Sequence, residues 1–202
     1  SDLRVALKKI NNESKNDLHP LWHGEIKEIT VTGVYQEEVV SLVKDTHYVS
    51  IVLQQINGTA VSDTAFHFEI TDDNSLINYD NNIIPNGDLT YRPYVTKQNS
   101  VGDVQPVTTA YAGIHTSRLM TDSKSRLRIT KVQNGDVVVD IPLTAYLMHT
   151  EMEGHQGEMT AQEYLDRQDE YSLVFFLDDN LSWFKTQIII NGWTVRFNSS
   201  GL

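Results

Sequence analysis

The sequence predicts an all-β fold, a Greek-key β-sandwich with one short helical turn near residues 160–167. Two observations carry that expectation. About nine short runs rich in β-branched and aromatic residues follow one another, several alternating apolar and polar side chains with the period of a half-buried strand. Between them stand clusters of Asn, Asp, Gly and Pro, whose side chains and backbone freedom suit turns.

Residues 3–10 are an exception at the front. Leu3, Leu7 and Ile10 fall at helical spacing behind Asp2, a suitable N-cap, and predict a short amphipathic helix. The polar stretch 11–17 reads as a linker. Residues 1–17 are therefore expected to be a remnant of a preceding domain, or a helix packed on this one, with 18–202 forming the C-terminal sandwich domain.

Strands are expected at 25–32, 39–43 and 48–55. In the last, Val49-Ser50-Ile51-Val52-Leu53 is apolar on both faces, which suits the middle of a sheet. Along 65–71, Phe66, Phe68 and Ile70 face one way and His67, Glu69 and Thr71 the other. Asp72-Asp73-Asn74-Ser75 then turns the chain.

Residues 78–105 read as long loops around a short strand at 89–91. Strand character returns at 107–114, 118–120, 126–132 and 137–141, with Asn134-Gly135-Asp136 as a hairpin turn between the last two. Thr160-Ala161-Gln162-Glu163 is a capping box that predicts the helical turn. Apolar runs at 171–177 and 184–197 follow. Within the second, Asn191-Gly192 is either a two-residue hairpin turn or a bulge in one long strand, and the bulge is favoured.

A formal net charge of −11 argues against a nucleic-acid partner, because phosphate recognition needs clustered Lys and Arg. It also disfavours peripheral binding to anionic lipid. The absence of cysteine removes disulfides, thiolate metal sites and cysteine nucleophiles together. No apolar run approaches the roughly 18 to 20 residues of a membrane helix. The chain opens Ser1-Asp2-Leu3-Arg4 without initiator Met, signal peptide or lipobox cysteine, and reads as a fragment or processed form.

Few constellations point to chemistry. On a strand, His149, Glu151, Glu153 and His155 would share a face and could ligate a metal, but Gly154 and Gly157 favour an acidic loop. His19 and His23 are spaced i, i+4 with Pro20 between them, and lack the Glu of a zinc-protease helix. Asp72, Asp73, Asn74, Asn78 and Asp80 invite a calcium reading without the Gly and Glu of an EF-hand. No phosphate loop or nucleophile elbow is present, so no catalytic residue, cofactor or resident metal is expected. Tyr91, Tyr94, Tyr111, Trp183 and Trp193 could line a sugar platform or fill the core.

The succession Glu163-Tyr164-Leu165-Asp166-Arg167-Gln168-Asp169-Glu170-Tyr171, then Phe175-Phe176-Leu177-Asp178-Asp179-Asn180, Trp183 and Ile188-Ile189-Ile190-Asn191-Gly192-Trp193, resembles the C-terminal signature of the FimB-type fimbrial anchor family of Bacteroidales. Leu21-Trp22-His23-Gly24, Val52-Leu53-Gln54-Gln55, Ile70-Thr71-Asp72-Asp73-Asn74, Tyr79-Asp80-Asn81 and Met152-Glu153-Gly154-His155 are similar too. The likeness covers residues 18–202.

It implies a transthyretin-like β-sandwich, the C-terminal one of two, in an outer-membrane lipoprotein at the base of a cell-surface fimbrium. The acylated cysteine and first domain would lie upstream. It further implies shaft subunits as partners, joined by exchange of a C-terminal strand. Asp63-Thr64-Ala65 resembles the short O-glycosylation sequence of this bacterial group. The alternatives are a surface glycan-binding sandwich and a fimbrial tip adhesin.

Within the last run, Trp193, Val195 and Phe197 share one face and Thr194 and Arg196 the other. Burying three such side chains is worth roughly 5 to 9 kcal/mol before ordering costs. These three are the expected subunit-joining residues.

Overall fold

The structure, a computed structural model, describes residues 4–31, 33, 35–103, 105–153 and 159–197. Its strands are β1 (Arg4–Ala6), β2 (Glu13–Ser14), β3 (Trp22–His23), β4 (Val43–Lys44), β5 (Thr46–Gln55), β6 (Phe66–Asp72), β7 (Leu76–Asn78) and β8 (Leu89–Tyr91). They continue as β9 (Val95–Val101), β10 (Val107–Ser117), β11 (Arg126–Lys131), β12 (Val137–Pro142), β13 (Glu170–Leu177), β14 (Trp183–Ile190) and β15 (Trp193–Arg196). Helices α1 (Leu143–Leu147) and α2 (Ala161–Arg167) lie between β12 and β13, with a 3-10 segment, Met148–Glu153, following α1.

The two main sheets make a sandwich. One has the order β15-β14-β13-β5-β10-β9, the other β12-β11-β6-β8-β2. The chain alternates between them, so β5 ends up beside β13 in a parallel pair although more than a hundred residues separate them in sequence. The period-two pattern explains the core. Val49, Ile51 and Leu53 of β5 meet Phe66, Phe68 and Ile70 of β6, with Leu127 and Ile129 of β11 and Tyr171, Leu173 and Phe175 of β13 in the same buried cluster. Between β10 and β5, Ala110 and Ala112 leave room for these larger groups.

The central position expected for 48–55 is borne out, as are the alternation at 66–71, the short strand at 89–91 and the β11–β12 hairpin. Gly135 takes a φ of 76° in that hairpin turn. The capped helix also forms where the Thr160 box places it: the Thr160 hydroxyl accepts a hydrogen bond from the Glu163 N–H at 3.2 Å.

Other expectations fail for identifiable reasons. The N-terminal segment is not a helix. Arg4–Ala6 pairs with β7, and Asn11 and Asn12, at φ 52° and 59°, turn the chain so that β2 joins β8 (Leu3 lies outside the described residues). A helix of eight residues is marginal alone, and here Ile10 is left exposed while Leu7 packs on the core.

Residues 25–31 and 39–42 have strand-like composition but pair with no strand among the described residues, and are irregular with Val31, Tyr35 and Val39 over four-fifths exposed. Thr32 lies outside the described residues. Residues 118–120 are irregular too, because the Arg118 side chain turns to a buried ion pair. Polar β9 (Val-Thr-Lys-Gln-Asn-Ser-Val) is an edge strand that hydropathy did not mark.

The end of the sandwich around α2 is held by polar contacts. The Arg118 guanidinium donates to both carboxylate oxygens of Asp166 on α2, at 2.8 and 2.6 Å, and to the Asn81 carbonyl. On α2, Gln162 donates to the Leu119 carbonyl at 3.1 Å and accepts from the Thr121 N–H at 3.0 Å. Buried His47 contacts the Leu165 carbonyl through Nε2 at 3.2 Å, and burial holds its pKa down. Lys44 pairs with Asp169 just beyond α2. One short helix therefore ties the front of the chain, the β7 loop and β13 together.

Candidate functional site at the C-terminal edge

The run 184–197 is a hairpin, not one bulged strand. Asn191 at φ 49° and Gly192 at φ 85° supply the paired positive dihedrals of a tight two-residue turn, and Ile190 pairs directly with Trp193. Asn191 fastens that turn to β13: its N–H donates to the Ser172 carbonyl and its side-chain oxygen accepts from the Ser172 N–H, both at 2.8 Å. The Asn-Gly signal was legible. What decided it was β13, which occupies the other side of β14 and leaves β15 to close the sheet edge.

β15 has β14 on one side, Gln187 to Ile190 facing Arg196 to Trp193. Among the described residues no strand pairs with its other side. The Phe197 N–H donates to the Thr186 carbonyl at 2.9 Å. By strand alternation the backbone groups of Trp193, Val195 and Phe197 therefore point to β14, and those of Thr194 and Arg196 point to the open edge.

The expected stripe is present but unevenly buried. Val195 lies opposite Ile188 and is partly buried on the core, while Trp193, opposite Ile190, is 53% exposed. Phe197 is the anchor. Its ring lies 5.6 Å from Tyr146 of α1 and 5.9 Å from His149, and Tyr146 in turn contacts Trp183, which stands edge-on to Phe175 at 5.3 Å. The Trp183 indole N–H is buried without an acceptor.

The other singled-out residues do not gather into a site. His149 lies in the 3-10 segment Met148–Glu153 instead of a strand, so the alternate-position geometry is absent there; the side chains of Glu151 and Glu153, and all of His155, lie outside what is described. His23 contacts the Tyr79 carbonyl at 2.9 Å.

In the calcium candidate, Asn74 is wholly buried and consumed by protein. Its amide donates to the Arg118 carbonyl at 2.9 Å and its oxygen accepts from the Tyr91 hydroxyl at 2.5 Å. Asp72 is also buried, and burial raises its carboxyl pKa to about 7 against the pull of the Asp73 N–H. Among the described residues no group of three or more His, Asp or Glu is disposed to hold a metal. Asp63–Ala65 is one 3-10 turn with an exposed Thr64, whose hydroxyl meets that of Ser62 at 2.9 Å.

The aromatics divide between core and sheet face. Tyr91 is fully buried, Trp183 is half-buried at the hairpin and Trp193 is exposed beside it. Tyr94 and Tyr111 instead cluster with Tyr48 and His115. Tyr48 and Tyr111 share a hydroxyl hydrogen bond, and Tyr94 stacks on His115 at 4.9 Å. The expected five-residue platform is thus not one surface.

Two facing sheets, the six-stranded one ending in the β14–β15 hairpin, define an all-β sandwich. The fold is shared with a candidate adhesin of Bacteroides thetaiotaomicron at 42% identity and a TM-score of 0.82, over 90% of this chain and 61% of that one. A candidate polysaccharide-binding protein of the same species is 33% identical at a TM-score of 0.81, over 97% of this chain and 66% of that one. The fimbrial anchor protein Mfa2 of Porphyromonas gingivalis, 14% identical with a TM-score of 0.66, shares the fold over 96% of this chain and 66% of its own.

The chain belongs to the family of fimbrillin-A associated anchor proteins Mfa1 and Mfa2, whose family model matches residues 1–199. It spans between 61% and 66% of the length of these three related structures. No curated protein matches it.

Proposed function

We propose that this chain is the C-terminal part of a structural fimbrial subunit of anchor type, which tethers a fimbrial shaft to the outer membrane. In this reading the sandwich domain begins ahead of the expected residue 18, because β2 is one of its strands, and a lipid anchor on a preceding segment holds the protein to the membrane. The next subunit joins through β15. Family membership supports the fimbrial role, and the state of β15 supports the joint.

That strand is four residues long, has one neighbouring strand among the described residues, and leaves Trp193 more than half in solvent. Releasing it costs the partial burial of Val195 and Phe197. Docking it in a groove that buries Trp193 as well returns more, since a fully buried large apolar side chain is worth about 1.5 to 3 kcal/mol. A partner groove also pairs the backbone of Thr194 and Arg196, now facing the open edge. Trp193, Val195 and Phe197 are the joining residues.

The glycan-binding alternative has weaker support, because Tyr91 is buried and the remaining rings do not form one exposed plane.

In cells carrying the intact fimbrial operon, deleting residues 193–202 from the full-length protein is expected to shed fimbriae into the medium. Cell-attached fimbriae should fall by at least about tenfold if the lost joint is worth 1.4 kcal/mol or more. A truncated protein that folds and retains wild-type numbers of attached fimbriae overturns the joint at β15.

A further inference from the structure

Four strands end the two sheets, and three are unsuited to pairing. β15 has four residues and β2 two, while β12 carries a register shift against β11 and ends in Pro142. These are the usual ways in which sheet edges are blunted. β9 has none of them. Its seven residues run in unbroken register along β10, contain no proline, and are exposed from Thr96 to Val101. Among the described residues nothing pairs with its outer side.

The direction of its free backbone groups follows from the ladder. The Val61 N–H donates to the Thr108 carbonyl at 3.0 Å from the β5 side of β10. In an antiparallel ladder alternate residues bond to opposite neighbours. The odd-numbered backbone of β10 therefore faces β9, through Asn99 opposite Thr109 and Lys97 opposite Tyr111. In β9 the N–H and C=O groups of Thr96, Gln98 and Ser100 point outward.

The sequence of β9 is symmetric about its middle: Val95-Thr96-Lys97-Gln98-Asn99-Ser100-Val101. An antiparallel copy centred on Gln98 sets Val95 against Val101, Thr96 against Ser100, Lys97 against Asn99, and Gln98 against itself. This register also places each outward-facing backbone residue opposite another, which is the condition for paired N–H to C=O bonds. Hydroxyl faces hydroxyl and valine faces valine, both favourable cross-strand pairs, and no two like charges meet. The lone cation, Lys97, leans over the Tyr111 ring at 5.0 Å and keeps clear of the edge. The Gln98 side-chain amide donates a hydrogen bond to the Val61 carbonyl at 3.3 Å.

We infer that β9 is a self-recognition edge: two copies of this chain pair β9 to β9 about a two-fold axis at Gln98, joining their six-stranded sheets into one. The interface is isologous, so it closes at a dimer. It lies at the opposite end of the sheet from β15 and leaves the proposed joint free. Each copy carries a formal charge of −11, so the pairing strengthens as salt screens that repulsion.

Sedimentation of the 202-residue chain from micromolar to near-millimolar concentration should show a species of twice the 23.0 kDa mass, favoured by added salt. Asn99→Lys sets Lys against Lys twice in the dimer and should weaken it about tenfold, while Lys97→Glu with Asn99→Lys sets Glu against Lys and should restore it. Gln98→Pro removes an outward N–H and the side-chain bond to Val61 but no ladder bond to β10, and should give a folded monomer. Circular dichroism confirms the fold of each variant. A wild-type chain that stays monomeric throughout overturns the inference. So does a dimer indifferent to Gln98→Pro, or a charge-swapped pair no tighter than Asn99→Lys alone.

Discussion

Arg118→Met is expected to lower stability by about 3 to 5 kcal/mol, because it leaves carboxylates buried without their cation. Arg118 is 8% exposed and its partner Asp166 has a side chain 12% exposed. Nearby Asp45 is 4% exposed, with one carboxylate oxygen lacking any hydrogen bond; burial raises its pKa, and Asn81 and Arg118 oppose the rise. Arg118 also satisfies the Asn81 carbonyl, so its loss strikes α2, the β7 loop and the β4–β5 junction together.

For a chain of this size each kcal/mol moves Tm by about 2 to 4 °C, so a fall of about 10 °C is predicted. Adding Asp166→Leu should recover part of it, since removing both charges is far less costly than removing one. Thermal denaturation of the single and double variants checks this. A single variant within about 1 kcal/mol of wild type would show the pair to be well solvated.

The second large effect depends on pH. Asp72 is 3% exposed and accepts from the Asp73 N–H at 2.9 Å; this bond and the Ser123 side chain oppose the effect of burial, and Oδ2 has no hydrogen-bond partner. Burial raises its pKa from 3.8 to about 7, so the folded state holds the proton more tightly than the unfolded state. The folded state thus gains relative stability at low pH and loses it as pH rises from about 4 through about 7. Above that range the cost of the buried carboxylate is complete, on the order of 2 to 4 kcal/mol. Asp72→Asn removes the charge and should stabilise the protein by that order at pH 8, with little change at pH 4. Denaturant unfolding at both values tests it, and an equal effect at the two would place the pH dependence elsewhere.

Strands that bury one face announced themselves through alternation, as at Phe66, Phe68 and Ile70, and the capped helix through four residues at Thr160. Less legible were features decided by a distant neighbour. The Leu3, Leu7 and Ile10 spacing is a local helix signal, yet the open edge of β7 and the two Asn turns outweigh it. The run at 25–32 has β-propensity, but a strand needs a partner, and among the described residues none pairs with it. Polar β9 escapes hydropathy because an edge strand buries little. The stripe of Trp193, Val195 and Phe197 was readable in register, whereas its uneven burial depends on Tyr146 and His149 beneath Phe197, more than forty residues upstream.

The joint at β15 can be tested by locking that strand at home. Ile189 and Thr194 face each other at a position where their backbones do not exchange hydrogen bonds, the closer of the two pair types and one suited to a cross-strand disulfide. The chain has no cysteine of its own, so Ile189→Cys with Thr194→Cys introduces the only thiol pair within it. The measurement is the fraction of fimbriae retained on cells whose anchor carries this pair, oxidised and then reduced. Strand exchange predicts loss of attached fimbriae in the oxidised protein and recovery on reassembly under reducing conditions. Full attachment with β15 covalently held in its own sheet would contradict it.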